Sequence, residues 1–355
     1  MKIAVGLSGG VDSAVTAALL REAGHEVVGI TMKIWRGGKY RGGDRDACFG
    51  PGEEEDIRIA AGICRQLDIP FHVFDCADEY QSAVLEYFRA EYLAGRTPNP
   101  CVRCNALMKF GVLPDLARRS GLDFERFATG HYARIAETND GAGLFAGADP
   151  AKDQSYFLYR LPKRQLENLL FPLGTMCKSD VRAAAAKFGL AVCDKPDSQD
   201  FYSGDHTELL ATPDRRGNIV DTAGNVLGVH AGFWHYTIGQ RKGLGIAAKH
   251  PLYVIELDAC RNQVVVGPVE STRRHRLTAV SCNYLAPIPA AGTQVGLKIR
   301  SAGKPLRATI LRASEDGFQI EAGESLFAPA RGQSAVLYGA AGRVLGGGLI
   351  DGVDG

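Results

Sequence analysis

The chain lacks the features that mark membrane-spanning and secreted proteins. No apolar run approaches the ~20 residues that a membrane-spanning helix needs. The first residues lead directly into a strand pattern, so no signal peptide is predicted. The chain also has no large excess of positive or negative charge, because 41 Lys and Arg balance 40 Asp and Glu. The net charge of +1 neither supports nor excludes an acidic partner. These absences predict an ordinary globular protein of the cytoplasm.

Cysteine is too sparse for a disulfide scaffold, with nine residues in a chain of 355 and an odd number. In a reducing compartment, clustered cysteines are expected to be catalytic, redox-active or metal-binding. Only one C-x-x-C is present, at Cys101 and Cys104, and no H-x-H accompanies it. A structural zinc site needs a second ligand pair, so the sequence argues against one.

The glycine-rich segment near the N-terminus lacks the Gly-Lys-Ser/Thr ending of a Walker loop and the G-x-G-x-x-G spacing of a dinucleotide fingerprint. It consists of an apolar run, a Ser-Gly-Gly turn and an Asp-Ser pair that opens a helix. Successive amide groups and the helix dipole favour a phosphate there. Asp12 is suited to hold Mg²⁺ on a pyrophosphate, and Ser8 and Ser13 to bond phosphate oxygens. Helix capping is the plainer role for these residues, and it is compatible with phosphate binding.

From the N-terminus to Gly130, strand and helix patterns alternate, which predicts an α/β fold with an open parallel sheet. Strands are predicted at 3–7, 27–34 and 71–75, and helices at 12–23, 55–68, 79–93 and 106–119. The glycine-rich stretch 36–54 is predicted to be a flexible loop or lid. After about residue 205 short β-rich runs replace helices. We therefore predict a nucleotide-binding catalytic domain at 1–205, a small β-rich domain at 206–265 and a β-barrel at 266–355.

The segment before the cysteine pair reads Thr97-Pro98-Asn99-Pro100, and the pair itself opens a helix. A helix dipole lowers the pKa of a thiol at its start, and thiolates attack, carry sulfur or bind metal. Further along, residues 261–310 hold eight Lys or Arg against the single acidic Glu270. This stretch predicts either a phosphate-contacting surface or a merely solvated basic face.

Six motifs in order resemble the tRNA-specific 2-thiouridylase family, within the PP-loop ATP pyrophosphatases. They are SGGVDS at 8–13, TPNPCVRCN at 97–105, ATGHYA at 128–133, KDQSYFL at 152–158, KPDSQD at 195–200 and YTIGQR at 236–241. The resemblance implies a Rossmann-like PP-loop domain followed by a small β-rich domain and a β-barrel. It also implies ATP and Mg²⁺ as cofactors, and tRNA and a sulfur-donor protein or sulfide as partners. The implied reaction adenylates the C2 oxygen of the wobble uridine and replaces it with sulfur, giving 2-thiouridine, AMP and pyrophosphate.

The resemblance also implies roles for individual residues. Those matching the ATP site are Gly6, Leu7, Ser8, Gly9, Gly10, Val11, Asp12, Ser13, Met32 and Gly130. Those matching the segment that meets the uridine are Asn99, Pro100 and Cys101, and Cys104 matches the catalytic cysteine. Those matching tRNA-contacting positions are His131, Lys152, Asp153, Gln154, Arg300, Ser301 and Gln333.

The chain departs from the family at the second catalytic cysteine, which carries the persulfide and here is replaced by Tyr202. Three interpretations are open. Cys101 and Cys104 together carry and resolve the sulfur through a disulfide; or they hold an iron–sulfur cluster with a third thiol, for which Cys193 is the nearest candidate; or the chain is a paralogue with a different reaction. An adenylating PP-loop ligase and a non-enzymatic, ATP-gated tRNA-binding module are the competing functions. The remaining six cysteines, among them Cys48, are predicted to be structural or incidental.

Overall fold

The computed structural model describes residues 1–37, 47–193 and 200–354. The middle of the predicted loop at 36–54 and the motif residues Lys195 to Gln199 lie outside these ranges, as does the final residue. The chain divides into two compact units. The first comprises Met1–Val84, Pro100–Asp205 and Gly339–Leu345, and the second comprises Leu85–Asn99, His206–Tyr338 and Gly346–Gly355.

Helices are concentrated in the part of the chain before Ala211. The α-helices are α1 (Val11–Glu22), α2 (Glu53–Leu67), α3 (Ala77–Tyr80), α4 (Glu86–Leu93), α5 (Pro100–Arg103), α6 (Leu113–Arg119), α7 (Lys178–Lys187) and α8 (His206–Leu210). Two π-helices interrupt the series, at Gln81–Leu85 and Cys104–Val112. Short 3₁₀ turns lie at Ser155–Leu158, Lys163–Asn168, Pro172–Thr175, Phe233–His235, Val269–Thr272 and Ala340–Gly342.

The first unit is built on a parallel sheet in the order β4-β2-β1-β5-β8. Its strands are β1 (Lys2–Gly6), β2 (Glu26–Lys33), β4 (Phe71–Asp75), β5 (Arg126–Ala128) and β8 (Leu169–Leu170). Two small pairings accompany it: β3 (Ala47–Phe49) with β9 (Asp200–Tyr202), and the hairpin of β6 (Ala133–Thr138) with β7 (Gly141–Ala146). Ile3, Ala4 and Val5 are fully buried, as the short apolar run at the centre of a parallel sheet predicts. The open parallel sheet is therefore confirmed.

Two predicted helices are more irregular than their sequence patterns indicate. The helix predicted at 79–93 is split by the π-helix Gln81–Leu85, and the one predicted at 106–119 begins as the π-helix Cys104–Val112. A π-helix pairs residues i and i+5, and such segments are rare and frequently lie at functional sites. An apolar pattern with a period near 3.6 does not distinguish the two helix types over so few turns.

The rest of the chain is mainly β. A four-stranded sheet has the order β11-β10-β13-β12, with strands β10 (Gly217–Val220), β11 (Val226–His230), β12 (Tyr253–Asp258) and β13 (Gln263–Gly267). A closed barrel follows in the order β14-β17-β16-β15-β18-β19. Its strands are β14 (Arg273–Tyr284), β15 (Gln294–Lys298), β16 (Leu306–Ala313), β17 (Gly317–Phe327), β18 (Ser334–Tyr338) and β19 (Val344–Asp354). The predicted fold class, a parallel-sheet domain followed by β-rich parts and a barrel, is confirmed.

Within the described ranges, no helix combines the length and apolar character that crossing a membrane requires.

Candidate nucleotide and thiol site

The glycine-rich segment forms the turn between β1 and α1. Helix α1 begins at Val11 without any side-chain capping hydrogen bond on Gly10. The first amides of a helix have no partner within it, so the start of α1 is suited to an anion. Ser13 Oγ accepts a hydrogen bond from Ser8 N at 3.2 Å, donates to Gly10 O at 3.1 Å and lies 3.3 Å from Ser8 Oγ. The two serine hydroxyls predicted to meet phosphate therefore face each other across the turn.

Two glycines, Gly9 and Gly130, are required by close packing around this turn, and a third, Gly6, is tightly packed. Gly9 has a φ of +71°, and a Cβ there would lie 2.5 Å from Asp56 O. A Cβ on Gly130 would lie 2.7 Å from the backbone carbon of Asp12 and 2.9 Å from Ser13 N. A Cβ on Gly6 would lie 3.1 Å from the ring of Phe127. The structure thus brings Gly130, which is distant from Ser13 in the sequence, against the start of α1.

Asp12 is held by two side chains from distant parts of the chain. Tyr132 donates its hydroxyl to Asp12 Oδ1 at 2.8 Å. Lys178 Nζ donates to Oδ1 at 2.8 Å and to Oδ2 at 2.9 Å, and the pair is largely shielded, with side chains 13% and 27% exposed. One carboxylate at the phosphate end is the donor that protein-bound Mg²⁺ commonly uses together with substrate phosphates. Asp12 therefore fits the predicted Mg²⁺ role, with Lys178 as a neighbouring cation.

The KDQS motif positions Tyr132. Gln154 accepts a hydrogen bond from Tyr132 N at 3.0 Å through its side chain and donates its own backbone N to Tyr132 O at 2.9 Å. Asp153 accepts from the amides of Gly147 and Ser155, at 3.1 and 3.0 Å. Lys152 is half-buried. This motif fixes the residue that bonds Asp12, and its predicted contact with tRNA remains a prediction.

The cysteine pair lies where a short α-helix turns into a π-helix. Cys101 belongs to α5, Cys104 opens the π-helix, and Lys109 follows at i+5, one π-turn along. Burial raises the pKa of Cys104 to about 11, and the Lys109 ammonium partly offsets this. The lowered thiol pKa expected from the helix dipole is therefore wrong for Cys104, because desolvation of the thiolate outweighs the dipole.

Cys193 does not serve as a third ligand in this structure. It packs against the hydrophobic core that α1, α2 and α7 share with the sheet. In the part of the chain that is described, no group of three or more His, Cys, Asp or Glu side chains is arranged to hold a metal ion. All nine cysteines are free thiols. The residues present therefore do not fit the predicted iron–sulfur site, and a Cys101–Cys104 disulfide remains a prediction for an intermediate.

Buried aromatic rings surround His131, which the resemblance implies is a tRNA contact. Its ring lies 5.6 Å from that of Phe110 and 6.0 Å from that of Phe171, and Thr129 Oγ1 lies 2.8 Å from its Nδ1. Burial lowers the pKa of His131 to about 3, and the charge of Lys109 contributes to the same shift. The imidazole is thus neutral at physiological pH, and its contact with tRNA stays a prediction.

The second unit holds the other implied contacts. Gln333 Nε2 donates to Pro98 O at 3.2 Å, and Thr97 N donates to Arg331 O at 2.7 Å. These bonds fix the segment that ends in Asn99. Arg300 is exposed and lies 5.7 Å from the ring centroid of Phe327. Of the remaining implied residues, Met32 lies near the end of β2, Pro100 begins α5 and Ser301 follows Arg300, and their roles remain predictions.

Three residues at the site were missed by the sequence interpretation. Lys109 follows Cys104 by five residues, which is a local signal. This spacing indicates that the two side chains are near each other only once the segment is known to be a π-helix. Lys178 carries no local signal, because it reaches Asp12 across 166 residues. Tyr132 lies within the ATGHYA motif, but its hydrogen bond to Asp12 has no local signal in the sequence.

Family models match the three parts of the chain in order. Residues 1–202 match a "tRNA methyl transferase HUP domain", 210–268 a "tRNA methyl transferase PRC-barrel domain" and 274–350 an "Aminomethyltransferase beta-barrel domain". The chain is 47% identical over 357 residues to the tRNA-specific 2-thiouridylase MnmA of Endomicrobium trichonymphae, covering 99% of each chain. It is 44% identical over 361 residues to the protein of that name from Geotalea uraniireducens, covering 99% of this chain and 95% of the relative. Among solved structures, NMN synthetase from Francisella tularensis matches with a TM-score of 0.33 and 16% identity, over 55% of this chain and 65% of that one.

Proposed function

The chain belongs to the tRNA-specific 2-thiouridylase family and is a tRNA sulfurtransferase that uses ATP, and we propose that it adenylates the C2 oxygen of the wobble uridine and then replaces it with sulfur. The products are 2-thiouridine, AMP and pyrophosphate. The observation that carries this proposal is the joining, within one compact unit, of an anion-binding helix start at Asp12 and Ser13 with the cysteine pair Cys101 and Cys104. An adenylating ligase needs the first of these and has no use for the second.

In the activation half, the ATP phosphates lie against the turn of residues 6–13. The amides at the start of α1 and the hydroxyls of Ser8 and Ser13 bind phosphate oxygens. Asp12 would hold Mg²⁺, and the bound ion would neutralise negative charge on the pyrophosphate leaving group. Tyr132 fixes the orientation of the Asp12 carboxylate, and Lys178 supplies a further positive charge beside the phosphates. Met32 and Gly130 flank the adenine in this proposal.

In the sulfur half, Cys104 is the catalytic thiol and Cys101 its neighbour. Asn99, Pro100 and Cys101 meet the flipped uridine, since a base must leave its stack to reach such a pocket. The remaining predicted tRNA contacts, His131, Lys152, Asp153, Gln154, Arg300, Ser301 and Gln333, position the tRNA. A protein persulfide or sulfide supplies the sulfur. We also propose that the domains span residues 1–205, 206–265 and 266–355, and that the protein is cytoplasmic.

The test is thiolation in vitro of an unmodified tRNA transcript with ATP, Mg²⁺ and a persulfide donor. We expect 2-thiouridine, measured by mass spectrometry of nucleosides, to appear together with equal amounts of AMP and pyrophosphate. A transcript with cytidine at the wobble position gives none of these products. Asp12→Asn abolishes pyrophosphate release, whereas the control Asp123→Asn, at an exposed carboxylate paired with Lys2, retains it.

Two results would contradict the proposal. Pyrophosphate release that is independent of tRNA indicates an adenylating ligase with a small substrate. Tight binding of tRNA and ATP without pyrophosphate release indicates the non-enzymatic module.

A further inference from the structure

Cys48, which the sequence interpretation took as incidental, lies beside the strand that carries Tyr202. Strands β3 and β9 pair in parallel, with Phe49 opposite Tyr202. Cys48 therefore lies one residue before the cross-strand partner of Tyr202, the position at which the family has its persulfide-carrying cysteine. The two strands, Ala47–Phe49 and Asp200–Tyr202, come from distant segments of the sequence, so no local pattern indicates the pairing.

The aromatic side chain of Tyr202 has a packing role. Tyr202 and Phe49 are buried with ring centroids 6.2 Å apart, and Phe49 stacks on the buried Tyr80 at 5.1 Å. Cys48, which precedes Phe49 on β3, is instead exposed. This follows from the alternation of side chains along a strand. The pairing thus places tyrosine in the interior and a thiol at the surface.

Cys48 lies within electrostatic range of one thiol of the cysteine pair, that of Cys104. It interacts with Cys104, and the Lys109 ammonium interacts with Cys48, Cys104 and Cys101. Burial lowers the pKa of Lys109, but the three thiols together outweigh burial and leave that pKa raised. Lys109 thus provides a positive charge near the thiols that the sulfur exchange would involve.

Other thiols of the first unit are less suited to receive sulfur. Cys64 and Cys76 are buried, and burial raises the pKa of each to about 12. Cys193 packs on the core, and Cys177 caps α7 through its backbone and side chain. Compared with these four thiols, that of Cys48 is exposed to a donor and also interacts with Cys104.

We propose that Cys48 is the sulfur-carrying thiol that takes the place of the family's second catalytic cysteine, and that Cys104 resolves it. This inference rests on the proposed function, because it supplies the sulfur for the adenylated uridine. Its partner is a persulfide donor, and its exposure allows a donor protein to reach it.

The chemistry balances in four steps. The Cys48 thiolate takes the outer sulfur of the donor persulfide, and the donor leaves as a thiolate. The outer sulfur on Cys48 attacks C2 of the adenylated uridine, forming a C–S bond as the C–O bond to AMP breaks. The Cys104 thiolate then attacks Cys48 Sγ, releasing 2-thiouridine and leaving a Cys48–Cys104 disulfide. A dithiol reductant supplies the two electrons that restore both thiols.

The experiment compares Cys48→Ser with Cys260→Ser, a control at another exposed cysteine. Each protein is treated with a low-molecular-weight persulfide, alkylated and digested, and a parallel sample is assayed for one turnover with tRNA and ATP. We expect one additional sulfur on the Cys48 peptide of the wild type and of Cys260→Ser. Without reductant, one turnover leaves a Cys48–Cys104 disulfide in both. Cys48→Ser loses 2-thiouridine formation by about 100-fold or more but retains tRNA-dependent pyrophosphate release within about twofold.

Several outcomes would overturn the inference. If the additional sulfur is found on Cys101 or Cys104 while Cys48 is unmodified, Cys48 is not the sulfur carrier. The same conclusion follows if Cys48→Ser thiolates tRNA as fast as the wild type. If thiolation by the wild type requires bound iron and the protein shows an iron–sulfur absorption band, a cluster mechanism takes the place of the persulfide mechanism. Failure of the wild type to release pyrophosphate with tRNA overturns the proposed function and this inference with it. Normal pyrophosphate release with a dispensable Cys48 overturns the inference alone.

Discussion

Lys178 Nζ donates to both carboxylate oxygens of Asp12, at 2.8 and 2.9 Å, and so joins the first residue of α7 to the first turn of α1. The pair is shielded from solvent, and Tyr132 adds a third hydrogen bond to the same carboxylate. A carboxylate held in this way has one orientation before a nucleotide arrives. In the proposed activation half of the reaction, this carboxylate is preorganised by residues far apart in the sequence.

Replacing Lys178 tests whether the ammonium acts on phosphate. Lys178→Gln is expected to reduce tRNA-dependent pyrophosphate release by about 100-fold, as removal of a charge-stabilising donor does. It also costs about 1–3 kcal/mol of unfolding free energy, because a charged hydrogen bond is lost. The control Lys187→Gln, in an exposed pair with Glu22, costs about 0.5 kcal/mol or less. Unchanged pyrophosphate release in Lys178→Gln would give Lys178 a structural role only.

Removing one hydroxyl tests the orientation of Asp12. Tyr132→Phe keeps the buried ring and deletes the hydrogen bond to Asp12 Oδ1. We expect pyrophosphate release to fall by about tenfold and unfolding free energy by about 1 kcal/mol, while tRNA affinity in a filter-binding assay is unchanged. Tyr236→Phe, at a half-buried tyrosine of the second unit, serves as the control. Weakened tRNA binding by Tyr132→Phe would place its role elsewhere.

The packing of Gly130 against the start of α1 predicts that alanine is not tolerated. A Cβ there meets backbone atoms of Asp12 and Ser13, which cannot move without displacing the phosphate turn. Gly130→Ala is expected to abolish ATP binding measured by calorimetry and to destabilise the fold by about 1–3 kcal/mol. The control Gly62→Ala, in α2 with its nearest neighbour 3.8 Å away, stabilises by up to about 1 kcal/mol. ATP affinity retained in Gly130→Ala would contradict the assignment.

The reactivity of Cys104 should depend steeply on pH. Burial raises its pKa to about 11, so only a small fraction is thiolate at neutral pH. Alkylation by iodoacetamide, measured on the Cys104 peptide, is expected to accelerate about tenfold per pH unit between pH 7 and 10. Lys109→Met removes the charge that offsets burial and slows alkylation at every pH, while Lys109→Arg restores it. Alkylation of Cys260 in the same samples is unaffected by either variant. Faster alkylation of Cys104 in Lys109→Met would show that the lysine does not stabilise the thiolate.

The buried imidazole of His131 predicts acid sensitivity. Burial first, and then Lys109, lower its pKa to about 3 from an ordinary value of 6.5. Between these values the unfolded chain binds a proton that the folded chain excludes, so stability falls as pH drops below 6.5. The slope is about 1.4 kcal/mol per pH unit for one such proton. In urea unfolding between pH 7 and 5, His131→Gln is expected to lose less stability than the wild type. If the unfolding free energies of the wild type and His131→Gln fall equally with pH, His131 is protonated in the folded protein.

Much of the activation half was predictable from sequence because its signals are local. The β1–turn–α1 segment is contiguous, and its glycines, serines and Asp12 occur at fixed spacing. The alternating strand and helix patterns that precede Gly130 likewise follow from burial on a parallel sheet. The bounds of the predicted strands and helices agree with the structure to within a few residues, except where π-helices at Gln81–Leu85 and Cys104–Val112 change the local period.

The sulfur half was predicted less well because it depends on contacts between distant segments. Sequence proximity to Tyr202 suggested Cys193, but the chain folds Cys193 onto the core and pairs the strand of Cys48 with that of Tyr202. The dipole argument for a low thiol pKa also failed, since the burial of Cys104 is a property of the packed structure.

The sequence by itself determined the fold class, the phosphate turn and the presence of a cysteine pair, because each depends on residues that are close together in the sequence. Only the tertiary structure decided that Lys178 and Tyr132 hold Asp12, that Gly130 packs against α1, and that the strand of Cys48 pairs with the strand of Tyr202. Those contacts join residues that stand far apart in the chain. They depend on which strands pair and how helices pack, and strand pairing and helix packing leave no local pattern in the residues they bring together.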